Sequence, residues 1–406
     1  MAEQYMSGRR GPDVRSDCFI AIEPRDRGGL EIELKSKVEA LFGESIRGLI
    51  AEEAAFFSLE HARVTVEDSG ALPFVIAARF EAALKRLRPD EKREFLLPAR
   101  DLPPPSERDR FRRSRLYLPG NEPKFFVNAA LHEPDGVILD LEDSVAPEVK
   151  DDARILVRNA LRAVDFLRAE RMVRINQLPL GMDDLRAVVP HGVDVILVPK
   201  CETADHVLAV AGEAQAALEA GGIERPLFLM PIIESAKGAI NAYEIATAAE
   251  SVVALAVGLE DYTADIGVVR TEEGRESFWM RAQVVNAARA AGVQPIDTVY
   301  SDVANEEGLR ASVREARSLG FDGKGCIHPR QIRVVHEAFA PSEAEIERAG
   351  RIVRAYHEAR ARGLGVVSLG SKMIDPPVVK RAQRTIDLAV RSGLLSSRWM
   401  EEENNG

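Results

Sequence analysis

In DGVILDLEDSVAP, the apolar run Gly136-Val137-Ile138-Leu139 breaks into Asp140, Glu142 and Asp143. The same placing, a polar group at the end of an apolar run, recurs at Arg174 and Asn176, Lys200, Glu234, Glu260 and Asp261, Asp297 and His328. One such Asp is ordinarily a helix N-cap. A whole set at equivalent positions implies a shared mouth, where packed charges need partners or an ion. Acids outnumber bases in the set, which favours a hard divalent cation held by carboxylate oxygens and water, as magnesium prefers. One cation, one arginine and one lysine suit metal-assisted carbon–carbon cleavage. The cation would chelate the carboxylate and hydroxyl of a 2-hydroxy acid and stabilise the emerging carbonyl. The arginine would hold the enolate oxygen of the other fragment. The rival chemistry is a Schiff base on Lys200, which needs a lysine of depressed pKa. A mouth rich in acids keeps lysine charged, so the metal route ranks first.

The elements that must position these groups follow from the spacing. RLYLPG, GVILDLED, MVRINQ, DVILVPK, LFLMPIIE, VVALAVGLED, PIDTVYSD and GKGCIHP recur about every 25 to 30 residues, with helical stretches between most of them. This alternation predicts an α/β fold, a (β/α)8 TIM-type barrel with its site at the C-terminal ends of the strands. A doubly wound open sheet is the runner-up, but no GxGxxG opens a helix after the first strand.

Upstream, CFIAIEP and HARVTVED alternate like strands and VEALFGESIRGLIAEEAAFF has helical spacing, which makes a small α+β domain. The stretch with Pro103-Pro104-Pro105 and many charges reads as a linker. The expected organisation is a disordered N-terminus over 1–15, the small domain over 16–88, the linker over 89–112, the barrel over 113–340 and a C-terminal helical lid and tail over 341–406. With 406 residues, 46% hydrophobic and 29% charged, the chain has the profile of a soluble globular protein. A net charge of -11 argues against a nucleic-acid partner. No apolar run reaches the roughly 20 residues of a membrane span, and the N-terminus has no secretory signal. Cys18, Cys201 and Cys326 show no CxxC spacing and read as reduced thiols, so a cytoplasmic location is expected.

RRSRLYLPGNEPKF, VILDLEDSVAPEVKDDAR, VRIN, VPKCE, IIESAKG, GLEDYTADIG, FDGKGCIHP and SKMIDPPVVKRAQ together resemble the citrate lyase β-subunit and malyl-/citramalyl-CoA lyase family. The resemblance implies a retro-Claisen cleavage of an acyl thioester into an acyl-CoA and a 2-oxo acid. It implies Glu234 and Asp261 as magnesium ligands and Arg174 as the group that binds substrate and steadies the thioester enolate. It also implies Asp375 as an acid/base carried on a lid from a neighbouring subunit, hence a homo-oligomer, trimer-based. Lys124 is a candidate for the CoA phosphates. Lys200, Glu142 and Asp143 are placed around the ligands, with Glu142 and Asp143 binding metal waters or orienting Arg174. Asp140 is placed with them around the ligands, its least role being a cap on the following turn.

DCFIAIEP, GGLEIELKSKVEALFGESI and ARVTVEDSGALPFVIAARFEAALKRL resemble the acyl carrier (γ) subunit of citrate lyase. In that carrier the prosthetic arm sits on a serine two residues before the aspartate matching Asp17. That position here is Arg15, and Ser16 is adjacent. Three readings stand: a lyase on free acyl-CoA, a fused component taking citryl from a carrier in a complex with other citrate-lyase-like subunits, and a non-catalytic carrier or assembly subunit.

Overall fold

The computed structural model describes residues 3–361, 367–369 and 372–402, in two compact units, 1–332 and 333–406. The first unit opens with a small sheet whose strands are β1 (Tyr5–Gly8), β2 (Cys18–Pro24), β3 (Leu30–Ser36) and β4 (Ala62–Asp68). Helix α1 (Glu39–Phe56) joins β3 to β4, and α2 (Pro73–Leu87) follows β4. The sheet order is β1-β2-β4-β3, with β3 and β4 parallel and the other pairs antiparallel. Alternation in β4 sends Ala62, Val64 and Val66 inward against Ile20 and Ile22 of β2, Ile46 and Ile50 of α1, and Phe80 of α2.

The strand β1 corrects the expectation of a disordered 1–15, within which Met1 and Ala2 lie outside the described residues. Its register pairs Tyr5 with Ile22 and Gly8 with Phe19. A four-residue strand with few apolar side chains carries almost no periodic signal. What holds it is the ladder to β2 and packing on α2.

Eight parallel strands then close a barrel in chain order: β5 (Ser114–Pro119), β6 (Gly136–Asp140), β7 (Glu170–Arg174), β8 (Val195–Val198), β9 (Phe228–Ile233), β10 (Ala254–Val257), β11 (Gln294–Asp297) and β12 (Gly323–Cys326). They are the eight runs named above. Ile138, Met172, Val195, Leu197, Met230, Ile232, Ala254, Ala256 and Ile296 fill one cluster with Tyr117. Their neighbours Val137, Leu139, Val173 and Ile196 are buried as well, and β8 and β10 are apolar throughout. Between the strands lie α3 (Lys150–Ala163), α4 (Leu180–Val188), α5 (Ala204–Ala220), α6 (Ala236–Ile240), α7 (Ala242–Thr247), α8 (Leu259–Asp265), α9 (Arg275–Ala291) and α10 (Glu306–Leu319), and α11 (Arg330–Phe339) follows β12 in the chain. The β5–β6 connection has only 3-10 turns. Among the described residues no helix is long and apolar enough to cross a membrane.

The small domain is fixed to the barrel through α2, which is buried from Phe74 to Leu84. One side of the helix joins the small domain's core and the other packs on α3. Charges inside this contact are paired, as burial requires. Glu81 receives Nη1 and Nη2 of Arg158 at 3.0 and 2.7 Å, and Asp152 receives Arg86 at 2.7 Å and the Ser7 hydroxyl. Residues between α2 and β5 form neither helix nor strand, yet Phe95, Ser106 and Arg112 are buried, and Arg112 holds Glu170 with two bonds of 2.7 Å. That segment packs against the barrel, where the sequence suggested a linker with little to bury.

The second unit contains α12 (Glu343–Ala361), the hairpin β13 (Val367–Leu369) with β14 (Lys372–Ile374), α13 (Pro376–Arg391) and α14 (Trp399–Glu402). Ile352, Val353, Ile374, Ala382, Ile386 and Trp399 form its core. Ser371 of SKMIDPP lies outside the described residues.

One group in the small domain opposes its stability. Glu53 is fully buried in α1 and neither carboxyl oxygen has a hydrogen-bond partner. Burial, helped by the charges of Glu81 and Glu52, raises its pKa well above the ordinary carboxyl value. The folded chain therefore keeps a proton that the unfolded chain releases, and stability falls as pH rises from the ordinary carboxyl range toward the raised folded value. Replacing Glu53 by Leu should stabilise the domain by about 1–3 kcal/mol, with a larger gain at pH 8 than at pH 5. Denaturant titrations at the two pH values measure it, and equal stabilities for the two proteins would refute it.

Candidate active site

The C-terminal strand ends carry the sequence-predicted groups because each barrel strand passes directly into its loop. Backbone bonds extend the sheet past the strands: Gly120 N–H to Asp140 O at 2.8 Å, Leu141 N–H to Arg174 O at 2.9 Å, and Gly258 N–H to Ile233 O at 3.0 Å. Asp140 and Arg174 are register partners on β6 and β7. Their side chains meet in a two-bond pair, Nε to Oδ1 at 2.6 Å and Nη2 to Oδ2 at 2.8 Å. Asp140 does cap its turn, accepting the Glu142 and Ser144 N–H groups at 3.0 and 3.3 Å. Its principal partner is nevertheless Arg174, so Asp140 does more than cap its turn.

Glu142 adds to the same guanidinium, with Oε2 2.9 Å from Nη1, while Asp143 is 3.7 Å away and exposed. The Tyr117 ring lies under the guanidinium, 5.4 Å from its centre. Burial opposes the charge of Arg174, but the hydrogen bonds and charge of Asp140 outweigh it and hold the pKa above its ordinary value. Burial of Asp140 is offset in the same way, and its carboxyl stays below the usual range. Around this pair, Lys150 donates to Leu141 O and Glu142 O at 3.0 and 2.9 Å and to the Asn176 side chain. Asn176 in turn donates to Asp184 of α4 at 2.8 Å, and Gln177 donates to Glu142 at 3.1 Å.

On the other side of the mouth stand Glu234, Asp261 and Lys200. Glu234 follows β9 and its Oε1 accepts the Lys200 N–H at 2.6 Å. Lys200 has φ 45, so its backbone turns sharply at the end of β8. Its ammonium lies 3.1 Å from Asp261, in the first turn of α8. Desolvation alone would lower the Lys200 pKa, but the hydrogen bond and charge of Asp261 raise it, so the amine stays protonated. That agrees with ranking a Schiff base second. Glu234 is buried and its carboxyl is pushed up to about 8, first by burial, with further rises from Asp261 and Glu142. The Lys200 N–H partly offsets this.

Space is tight around Glu234. A Cβ at Gly258 would fall on its Oε2 and 2.8 Å from its Cβ, so only glycine lets the carboxyl stay where it is. Glu142 is crowded too: burial and the Asp143 charge raise its pKa, and its Oε2 has no hydrogen bond despite the nearby guanidinium. Among the described residues no three His, Cys, Asp or Glu side chains form a closed metal cage. Magnesium needs one or two protein carboxylates and takes its remaining ligands from water and substrate. Glu234 and Asp261, two carboxyl groups with only the Lys200 ammonium between them, fit that demand.

Other candidates are placed elsewhere. Asp297 is fully buried and neutralised by Lys324 at 2.7 Å and Arg281 at 3.1 Å. Glu260 is exposed and paired with Arg270. Asp375 caps α13 in the second unit, accepting the Val378 N–H at 3.2 Å, and is exposed. Ser16 also has a left-handed backbone, φ 54, and the neighbouring Asp17 is held by Arg79 with two bonds of 2.9 Å. The sequence reading missed Lys150 and Asn176's tie to Asp184. The spacing of Lys150 from Glu142, eight residues across a loop, gives no periodic cue.

Comparison with known proteins agrees with this geometry. Residues 113–329 match the family described as HpcH/HpaI aldolase/citrate lyase, and residues 11–87 match the acyl carrier family described as malonate decarboxylase delta subunit. The citrate lyase subunit beta of Leuconostoc mesenteroides subsp. cremoris is 40% identical over 296 residues, 71% of this chain and 97% of that one. The human mitochondrial citramalyl-CoA lyase is 33% identical, over 68% of this chain and 85% of its own. Among solved structures, the protein CitE of Mycobacterium tuberculosis in complex with magnesium, acetoacetate and coenzyme A matches with a TM-score of 0.59 and 31% identity. That match covers 70% of this chain and 99% of that one. With an eight-stranded barrel, its polar strand ends and these relatives in agreement, the chain belongs to the HpcH/HpaI aldolase/citrate lyase family.

Proposed function

We propose that this protein is a magnesium-dependent carbon–carbon lyase. Its substrate is a 3-hydroxy-3-carboxy acyl-CoA thioester such as citramalyl- or malyl-CoA, and its products are an acyl-CoA such as acetyl-CoA and a 2-oxo acid. The observation that carries the reading is the opposition, across one mouth, of a guanidinium fixed by Asp140 and Glu142 and a pair of carboxyl groups, Glu234 and Asp261. Relatives described as lyases on such thioesters, and the magnesium and coenzyme A bound by CitE of M. tuberculosis, support it.

Glu234 and Asp261 would hold the magnesium. When bound, the ion supplies Lewis acidity that eases deprotonation of the substrate hydroxyl and stabilises the product carbonyl. Arg174, permanently charged and locked from two sides, stabilises the negative charge that develops on the thioester oxygen as the carbon–carbon bond breaks. Lys200 keeps Asp261 oriented from within the same mouth. Asp375 from a neighbouring copy delivers a proton to the acetyl carbon, which makes the active form a homo-oligomer. Lys124 contacts the CoA phosphates.

A second reading, cleavage of a citryl group carried on the small domain, is favoured by the acyl carrier match over 11–87. Against it stand Arg15 at the attachment position and an Asp17 already bound by Arg79. Intact-mass measurement on protein from its native host separates the two: an unmodified chain supports free thioesters, and a mass increment on Ser16 supports the carrier.

A panel of malyl-, methylmalyl-, citramalyl- and citryl-CoA with magnesium, followed by 2-oxo acid release, should show turnover of at least one. Asp261→Ala should lose magnesium binding and turnover together. Asp375→Ala should keep magnesium binding and lose cleavage, and an active Asp375→Ala protein would remove the lid residue from the mechanism. Because an added methyl group at Gly258 must displace Glu234, Gly258→Ala should lower kcat/KM by about 10²-fold with little change in melting temperature. Unchanged turnover in that variant would show that Glu234 has no positional role.

A further inference from the structure

Beyond the barrel's own residues, we propose that the small N-terminal domain supplies Arg9 to a phosphate-binding subsite at the rim of the mouth, beside Lys124. This rests on the CoA thioester reading above and adds a substrate-binding role for a domain otherwise outside the chemistry. Arg9 and Lys124 both contact one carboxylate, Glu122: Arg9 at Oε1, and Lys124 at Oε2 at 3.2 Å. Two cations thus share one anion at the surface, with 47% and 40% of their side chains exposed. A phosphate supplies the second negative charge that this group lacks. Its oxygens suit the planar arginine fork and the lysine point charge alike.

Position follows from the backbone. Gly120 bonds to Asp140 O, and Asp140 holds Arg174. Glu122 is two residues beyond Gly120, at most about 7 Å of chain, so the cations stand at the edge of the mouth and not inside it. Beside them, the Phe125 ring is 45% exposed with the Lys124 ammonium 4.8 Å from its centre, a flat apolar face of the kind on which an adenine can stack.

Arg9 reaches this rim because its segment is anchored. The chain leaves β1 at Gly8, φ 88, where a Cβ would fall on the Cys18 carbonyl oxygen, and Arg9 N–H bonds back to that oxygen at 3.2 Å. Arg79, fixed by Asp17, donates to Asn121 O at 3.2 Å and so ties the base of this segment to the loop that carries Glu122. The segment that carries Arg9 and the loop that carries Glu122 are thereby joined.

The test is calorimetric titration of the full-length protein with CoA, in low salt because exposed charges are screened. Arg9→Ala removes a phosphate partner and should weaken CoA binding about tenfold. Glu122→Gln breaks the same ion pair but removes the competing anion, so it should tighten CoA binding. A purely structural pair predicts shifts of the same sign in both variants. If wild-type protein binds CoA and the two variants do anything other than shift affinity in opposite directions, the Arg9 assignment falls. If wild-type protein binds no CoA, the thioester reading falls and takes this subsite with it.

Discussion

The arginine at the mouth of the barrel is placed by strand register. Asp140 and Arg174 are paired residues on adjacent parallel strands, so the pleat points both side chains the same way and at the same height. Shifting either strand by one residue would send one of them to the opposite face. The ion pair therefore tests the register of the whole β6–β7 ladder, and the ladder in turn is held by the apolar cluster inside the barrel. Everything built on the guanidinium, including Glu142 above it and Tyr117 below it, inherits that precision.

Charge pairing also joins the small domain to the barrel. Breaking a buried pair by removing one partner leaves an uncompensated charge, at a cost of about 3–5 kcal/mol. Arg158–Glu81 is buried on both sides, and Arg86–Asp152 buries its carboxylate, so sliding one domain across the other would leave ionised groups without partners. The contact resists motion more than its apolar area alone would. A domain that resembles a carrier is here held against the barrel by these pairs.

How much of this was legible in the sequence depended on distance along the chain. Apolar runs such as GVILD and DVILV announce strands locally, so all eight barrel strands were readable, and with them the polar strand ends. Asp140 looked like a cap because its visible neighbours are in its own loop, whereas the partner that defines it is 34 residues away. Glu81 and Arg158 are 77 residues apart, and in sequence each is an ordinary charge on an amphipathic helix. Asp297 misled for the related reason that burial is invisible: its position at a strand end was right, but Lys324 and Arg281 neutralise it inside the protein. Strand β1 escaped because its stability comes from the ladder it joins and not from its own composition.

Charge balance accounts for the state of the mouth. Asp140, Glu142, Asp143, Glu234 and Asp261 bring carboxyl groups, and Arg174 and Lys200 bring the cations in contact with them. Arg174 is committed to Asp140 and Glu142, and the Lys200 ammonium is committed to Asp261. Glu234 is left with a single backbone N–H, and in a buried position that cannot support a full negative charge. It responds as an acid without a partner must, by holding its proton to a pKa of about 8. The shortage of positive charge thus falls on one residue, and that residue stands beside Asp261, the carboxylate whose counter-ion is a half-exposed lysine rather than a buried arginine. Anything cationic entering the mouth will find its strongest unmet demand there.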